Sequence, residues 1–139
     1  MVERTLGIVK PDAVARNLVG EVLRRAEQAG LRIVGLKFLR LTPSDAARFY
    51  VVHKDKPFYR SLVGFMSEGP VLVFVLEGEN AIEKWREVMG PTDPAKAAPG
   101  TVRGDFGTDI ERNAVHGSDG PDTARWEIAF FFSQYELGR

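Results

Sequence analysis

The pattern of apolar and polar positions divides the chain into short strand-like and helix-like segments. Runs of apolar and β-branched residues predict strands over 5–9 and 32–41. A third run, 71–76, is apolar at every position, as in a strand that is covered on both faces. A short fourth strand is expected near 113–116, and Lys10-Pro11-Asp12 is expected to form a turn after the first strand.

Helical spacing and capping residues predict the helices between these strands. Apolar positions from Leu18 to Ala26 share one helix face, and Gly30 ends that helix. Thr42-Pro43-Ser44-Asp45 offers a hydroxyl N-cap, a proline at the first helical position and an acid at the third, so a helix should run to about Val52. Further helices are expected over 57–66, from a capping-box-like Asn80 to Met89, and from Pro121 onward.

The segment 90–112 has little periodicity and holds four glycines and three prolines, which is typical of a functional loop. With that loop, the element order is β-α-β-α-α-β-α-loop-β-α. This order predicts an α+β fold, a ferredoxin-like sandwich in which helices cover one face of a four-stranded antiparallel sheet. Residues 1–139 are expected to form a single domain, because the chain has a suitable length and no interdomain linker.

Composition narrows the possible functions. Nineteen basic and nineteen acidic side chains give a net charge of zero, which argues against binding to long nucleic acids or to an anionic membrane. The chain has no cysteine, so disulfides and thiol nucleophiles are excluded and a reducing compartment is favoured. No signal-peptide core precedes the first strand and no apolar run is long enough to span a bilayer, so a cytoplasmic location is expected.

Most familiar catalytic strings are absent or are accidents of composition. Neither a P-loop nor a dinucleotide fingerprint occurs, and two histidines without cysteine make a zinc site improbable. Asp105-Phe106-Gly107 spells a protein-kinase tripeptide, but no catalytic loop accompanies it. The protein itself is therefore expected to supply no metal site.

His116 is the strongest candidate for chemistry. It ends a short strand and precedes Gly117-Ser118-Asp119, so its ring should lie where a strand gives way to a turn. A partly buried histidine with an ordinary hydrogen bond is the alternative. However, Lys10, Arg86 and Arg103 could converge on the same strand ends. Neighbouring cations disfavour imidazolium and leave one ring nitrogen free as a nucleophile, and they would also neutralise a transferring phosphoryl group.

Three further side chains are ambiguous from the residues alone. Glu127 could orient the imidazole of His116 or lie at the solvent-exposed rim of the last helix. Phe58 follows a proline at a helix start, where it could be an exposed stacking platform, although core filling is the more common role. His53 lies in a polar segment and is expected to face solvent.

Several strings, taken in order, resemble the nucleoside diphosphate kinase family. Asn113-Ala114-Val115-His116-Gly117-Ser118-Asp119 is similar to the active-site signature, and Thr5-Leu6-Gly7-Ile8-Val9-Lys10-Pro11-Asp12 to the opening strand. Lys56-Pro57-Phe58-Tyr59 resembles the base-stacking segment, and 90–106 the phosphate-side loop. The resemblance covers nearly the whole chain.

The resemblance implies a ping-pong phosphotransferase, in which a nucleoside triphosphate phosphorylates His116 at Nδ1 and a nucleoside diphosphate then takes the phosphoryl group. Glu127 would hold Nε2, and Ser118 would lie beside the histidine. The implied nucleotide-binding residues are Lys10 and Asn113 at the sugar hydroxyls, Arg86, Thr92 and Arg103 at the phosphates with Tyr50 nearby, and Phe58 and Ile110 on the two faces of the base. The family commonly has valine in place of Ile110.

The resemblance also implies partners and a cofactor. Nucleoside di- and triphosphates would be the ligands, Mg²⁺ would enter bound to their phosphates, and the chain would form a homotetramer or a homohexamer. Gly120 departs from the family, which commonly has serine there, but glycine is acceptable at an N-cap before Pro121. Gly120→Ser is therefore expected to raise stability modestly and to leave turnover unchanged.

Two rival functions remain open at the level of sequence. A non-catalytic nucleotide-binding sensor could use the same fold and cations, but it would not need a histidine in the signature string. An RNA-binding ferredoxin-like domain would need exposed aromatic residues and a basic surface on its strands, whereas these strands carry mainly aliphatic residues.

Overall fold

A computed structural model describes residues 1–138 and contains four strands and seven α-helices in that range. The strands are β1 (Val2–Val9), β2 (Arg32–Leu39), β3 (Val71–Glu79) and β4 (Val115–Gly117). The helices are α1 (Pro11–Ala15), α2 (Val19–Gln28), α3 (Pro43–Phe49), α4 (Tyr59–Met66), α5 (Ala81–Met89), α6 (Val102–Phe106) and α7 (Pro121–Phe131). Short 3₁₀ turns lie at Val51–His53, Pro94–Lys96 and Gln134–Glu136. No helix within residues 1–138 is long and apolar enough to cross a membrane.

The four strands form one antiparallel sheet in the order β2-β3-β1-β4. This confirms the predicted α+β, ferredoxin-like architecture. β1 pairs with β3 along its whole length, from Val2 opposite Glu79 to Val9 opposite Leu72. β4 is short and pairs only with the end of β1, where Ile8 lies opposite His116. The sheet therefore brings the signature histidine next to the segment that follows β1.

Helices cover both faces of the sheet, so the prediction that they cover one face was wrong. Alternate residues of β3 enter two separate cores: Val73 lies in the first and Phe74 in the second, and both are fully buried. Residues of α3, α4 and α7 pack in the first core, and residues of α2 and α5 pack in the second. Burial on both faces explains why the 71–76 run is apolar at every position.

The structure contains more helix than the sequence predicted. Lys10-Pro11-Asp12 was expected to be a turn, but Pro11 is the first residue of α1, where its missing N–H has no cost. The segment 90–112, expected to be irregular, contains α6 in its middle. Thr101 caps α6 by accepting a hydrogen bond from the Gly104 N–H at 3.0 Å. A five-residue helix is too short to leave a periodic pattern in the sequence.

The predicted N-cap at Thr42 is confirmed, whereas the predicted capping box at Asn80 is wrong. Thr42 accepts from the Asp45 N–H at 3.0 Å, and the Asp45 carboxylate accepts from the Thr42 N–H at 3.1 Å. Asn80 does not cap α5, because its backbone is left-handed at φ 51° and its side chain makes no capping bond. Glu3 of β1 supplies the cap instead and accepts from the Ile82 N–H at 3.0 Å. This long-range contact ties α5 to the sheet.

Gly120 is the N-cap of α7, and its extended backbone (φ −165°) is open to any residue. A Cβ at this position would meet no atom within 4 Å. We predict that Gly120→Ser raises the free energy of unfolding by a few tenths to about 1 kcal/mol, because the hydroxyl can accept from the Thr123 N–H and the unfolded chain loses freedom. Urea denaturation measures this, and turnover should remain at the wild-type value.

Gly120→Ala is the matched control for this prediction. Alanine restricts the unfolded chain as serine does but cannot accept a hydrogen bond, and it is a poor N-cap. Gly120→Ala should therefore be less stable than Gly120→Ser. Equal stability of the two variants would show that the hydrogen bond to Thr123 contributes nothing.

Candidate active site

The backbone around His116 is fixed by the sheet and by α5. His116 pairs with Ile8 of β1, and its carbonyl oxygen accepts from the indole N–H of the fully buried Trp85 at 3.2 Å. The next residue must be glycine, because a Cβ on Gly117 would lie 2.5 Å from Met89 Cε and 2.7 Å from Trp85 Cδ1. Close packing of α5 on β4 therefore sets the height at which the His116 ring projects from the sheet edge.

The ring of His116 is held at one nitrogen. Nε2 lies 2.9 Å from Glu127 Oε1, and the Ser118 hydroxyl donates to the same oxygen at 2.8 Å. The Leu6 N–H in turn donates to Ser118 Oγ at 3.2 Å. Because a carboxylate accepts hydrogen bonds, the neutral ring carries its proton on Nε2 and has a free lone pair on Nδ1. Of the two roles open for Glu127, the geometry supports the orienting one.

A cleft of about 400 Å³ opens beside this ring. Its lining includes all eight residues that the sequence assigned to nucleotide binding, together with the histidine: Lys10, Tyr50, Phe58, Arg86, Thr92, Arg103, Ile110, Asn113 and His116. A groove of about 530 Å³ between α7 and the start of β1 is larger, but it is remote from these side chains. The side chains that line the smaller cleft, rather than its volume, therefore identify it as the candidate site. Glu127 and Ser118 lie behind the ring and do not line the cleft.

The same cleft is lined by residues that the sequence analysis did not assign: His53, Leu62, Met89, Glu111, Gly117 and Asp119. The sequence analysis expected His53 to face solvent, and the structure leaves its side chain partly exposed but within the cleft. The 3₁₀ turn Val51–His53 directly follows α3 and brings His53 back over Tyr50, with ring centroids 6.4 Å apart and planes at 26°. His53 also lies 5.4 Å from the ring of Phe58. The polar neighbours of His53 in the sequence did not indicate that the 3₁₀ turn would bring its ring against Tyr50.

Lys10 is nearly fully buried at the inner end of the cleft. Its Nζ donates to Asn113 Oδ1 at 2.8 Å and to the Glu111 carbonyl at 3.4 Å. Asn113 also donates to the carbonyls of Thr92 and Ile110, so it joins the two sides of the loop. Burial, and secondarily the charge of Arg103, lowers the pKa of Lys10 to about 8.

Arg103 is a second buried cation. Its Nη1 and Nη2 donate to the carbonyls of Gly90 and Val115 at 3.0 and 2.8 Å, and its Nε is buried with no partner. Burial and the nearby Arg86 lower the pKa of Arg103 to about 10, so it stays charged at neutral pH. Arg86 pairs with the exposed Asp119 at 2.8 Å. No carboxylate within residues 1–138 forms a salt bridge with Arg103.

The mouth of the cleft is apolar on two sides. Phe58 is 48% exposed and Ile110 is 61% exposed, and both line the cleft. The common role of core filling is therefore excluded for Phe58. Partly exposed apolar side chains at a cleft mouth favour a flat apolar group between them, such as a base.

The fold and the site together define a class of protein. It is an α+β sandwich in which an oriented histidine lies beside two buried cations, Lys10 and Arg103, that form no salt bridge within residues 1–138. Buried charges are costly unless they are paired, so this cleft is complementary to an anionic ligand. An apolar mouth, a cationic interior and a free imidazole nitrogen suit a phosphorylated ligand with a planar ring.

Comparison with known proteins agrees with this class. The family model described as nucleoside diphosphate kinase matches residues 3–137. A nucleoside diphosphate kinase of Coxiella burnetii is 58% identical over 136 residues, 98% of each chain, and one of Bordetella pertussis is 57% identical over 98% of this chain and 96% of its own. The chain therefore belongs to the nucleoside diphosphate kinase family.

Solved structures of the family have the same fold. The Aquifex aeolicus nucleoside diphosphate kinase superposes with a TM-score of 0.96 at 51% identity, covering 99% of both chains. A halophilic nucleoside diphosphate kinase from Halobacterium salinarum, solved in complex with CDP, has a TM-score of 0.96 at 46% identity and covers 100% of this chain and 93% of its own.

The lowered pKa of Lys10 has a consequence for stability. Between pH 8 and about 10.5 the unfolded chain binds more protons than the folded chain, so the free energy of unfolding must rise with pH. Burial of Tyr50 raises its pKa and acts in the opposite direction above about pH 10. We predict a gain of about 1–2 kcal/mol between pH 8 and 9.5, measured by urea denaturation.

The control for this prediction is Lys10→Met, which removes the titrating group. The gain in stability between pH 8 and 9.5 should be lost in this variant, whatever its absolute stability. A wild-type stability that is flat or falling over this range would contradict the assignment of a lowered pKa to Lys10.

Proposed function

We propose that this protein transfers the γ-phosphoryl group of a nucleoside triphosphate to a nucleoside diphosphate through a phosphohistidine at His116. The observation that carries the proposal is the free Nδ1 of an imidazole whose Nε2 lies 2.9 Å from Glu127, at the wall of a cationic cleft. A nucleoside diphosphate and a nucleoside triphosphate would occupy the same cleft in turn, so the reaction is of the ping-pong type.

In the first half-reaction Nδ1 of His116 attacks the γ-phosphorus. A nitrogen–phosphorus bond forms, the bond to the bridging β-γ oxygen breaks, and the nucleoside diphosphate leaves with that electron pair. The ring gains positive charge, which the Glu127 carboxylate stabilises through Nε2. In the second half-reaction a terminal β-phosphate oxygen of another nucleoside diphosphate attacks the phosphorus of the phosphohistidine. An oxygen–phosphorus bond forms, the nitrogen–phosphorus bond breaks, and its electron pair returns to Nδ1, so the ring is neutral again.

For the remaining residues we propose the roles that the family resemblance implies, and their common place along the cleft supports this. Arg86, Arg103 and Thr92 bind the phosphates, with Tyr50 at that end, and Lys10 and Asn113 bind the sugar hydroxyls, with Lys10 also near the phosphates. Phe58 and Ile110 pack on the two faces of the base. Stacking and contacts to the ribose read no base edge, so we propose a broad nucleotide specificity.

We further propose that Mg²⁺ enters with the nucleotide. The residues fit this arrangement, because the cleft presents Arg86, Arg103 and Lys10 to the phosphates and no group of three metal-ligating side chains occurs within residues 1–138. The bound ion would neutralise phosphate charge in the transferring group. This chain's residues would bind the phosphates and orient His116, and the ion would be bound through the nucleotide.

We also propose a domain organisation, an oligomeric state and a cellular location for this chain. The family model covers 3–137, which supports a single domain over 1–139. A homotetramer or homohexamer is supported by Leu36 and Phe38, which are 52% and 61% exposed on the edge strand β2. The absence of cysteine supports a cytoplasmic location.

The structure weighs against the two rival functions. A sensor would gain nothing from a histidine that is held by a carboxylate and a serine behind the cleft. An RNA-binding domain of this architecture would read bases on an open sheet face, but both faces of this sheet are buried under helices.

The covalent mechanism predicts that γ-labelled ATP with Mg²⁺ labels the protein on His116. The label should be lost in acid and kept in base, and it should pass to any added nucleoside diphosphate. His116→Ala should take up no label, whereas His53→Ala, the matched variant of the other histidine, should still become labelled. Labelling of His116→Ala, or no label on the wild-type protein, would refute the mechanism.

A further inference from the structure

The residue two positions before His116 has a strained backbone. Ala114 has a φ of +75°, and the Val115 N–H donates to the Asn113 carbonyl at 2.9 Å, so Ala114 is the centre of a γ-turn. The other non-glycine residues with positive φ within 1–138 are Asn17 and Asn80, a residue type that tolerates this region. Alanine has no such tolerance, and the strain at Ala114 costs about 1–3 kcal/mol.

This γ-turn connects three functional groups of the cleft. Asn113 on one side holds the ammonium of Lys10, and on the other side the Val115 carbonyl accepts from Arg103. His116 follows directly. Relaxing the turn would therefore shift the nucleophile relative to the side chains proposed to hold the nucleotide.

The segment at the start of α1 holds both polar backbone groups of Ala114. The Ala114 N–H donates to Asp12 Oδ2 at 3.1 Å, and the Ala114 carbonyl accepts from the Lys10 N–H at 2.9 Å. Ala114 is fully buried, so water cannot replace either bond. Pro11 between the two partners is also buried and fixes the backbone there.

The Asp12 carboxylate is incompletely hydrogen-bonded, because its Oδ1 is buried without a partner. Burial raises the pKa of this carboxyl group, although the nearby Lys10 and the backbone N–H groups of Ala114, Asp12 and Ala13 lower it. Two of those N–H groups belong to the first turn of α1, so Asp12 also serves that helix. Outside α1, its hydrogen bond goes to the backbone of the strained residue.

We propose that Asp12 is a positioning residue for phosphoryl transfer: by binding the Ala114 N–H it maintains the strained γ-turn that sets His116 relative to Asn113 and Lys10. This inference rests on the proposed function and adds a residue to it. The alternative is that Asp12 acts through its negative charge, by balancing Lys10. Asn at this position separates the two, because its amide keeps an acceptor oxygen but has no charge.

The test is single-turnover phosphorylation of purified, folded variants with γ-labelled ATP. In Asp12→Ala the rate at saturating ATP should fall at least about tenfold, because a displaced nucleophile slows the reaction more than it weakens binding, so KM should change less than about threefold. Asp12→Asn should retain most of the wild-type rate. Adding Ala114→Gly to Asp12→Ala should recover part of the rate, because glycine adopts positive φ without the strain.

Asp45→Ala is the matched control, since it removes a carboxylate that also accepts from a backbone N–H but belongs to the distant capping box of α3. It should lose stability and keep the wild-type rate. If Asp12→Ala does not fold, Asp12→Ser replaces it, because the shorter side chain cannot reach Ala114.

The possible results distinguish failure of the positioning role of Asp12 from failure of the proposed phosphotransferase function. A wild-type rate in folded Asp12→Ala or Asp12→Ser overturns the positioning role, and so does an Asp12→Asn variant as slow as Asp12→Ala, which would indicate a charge effect. A wild-type protein that takes up no label refutes the proposed function itself.

Discussion

Glu127 accepts a hydrogen bond from Nε2 of His116 across 2.9 Å, and the chemistry proposed for the cleft depends on this bond. An imidazole has two equivalent-looking nitrogens, and fixing the proton on one of them leaves the other free to attack. Ser118 donates to the same carboxylate oxygen and is itself held by the backbone of β1. The sheet thus orients the Glu127 carboxylate through Ser118, and the carboxylate orients the imidazole ring. The indole N–H of Trp85 holds the backbone carbonyl of His116.

The residues that line the cleft in front of the His116 ring lower the stability of the folded chain when no ligand is bound. Lys10 and Arg103 are buried, and their hydrogen bonds go to neutral oxygens rather than to carboxylates. Both pKa values are lowered mainly by burial. The strained turn at Ala114 adds to this cost. Such a site is stable only because two well-packed cores support the sheet, and an anionic ligand would relieve the repulsion between its cations.

The sequence predicted the sheet well because burial on both faces leaves a plain signal, as in the 71–76 run. It predicted the members of the cleft through the motif strings, and residues alone left Glu127 and Phe58 undecided. His53 and Asn80 show why the rest was not predictable: their environments depend on a chain reversal and on a cap supplied by Glu3 from another element. The helix coverage of both faces is likewise a property of packing, which no local pattern encodes.

The central claim is that Glu127 leaves Nδ1 of His116 as the only nucleophilic nitrogen. NMR of the phosphorylated protein, uniformly labelled with ¹⁵N at histidine, tests it most directly, because coupling to phosphorus identifies the nitrogen that carries the phosphoryl group. We expect coupling at Nδ1 of a single histidine, with a proton retained on Nε2. Phosphorylation at Nε2, or a mixture of both nitrogens, would contradict it.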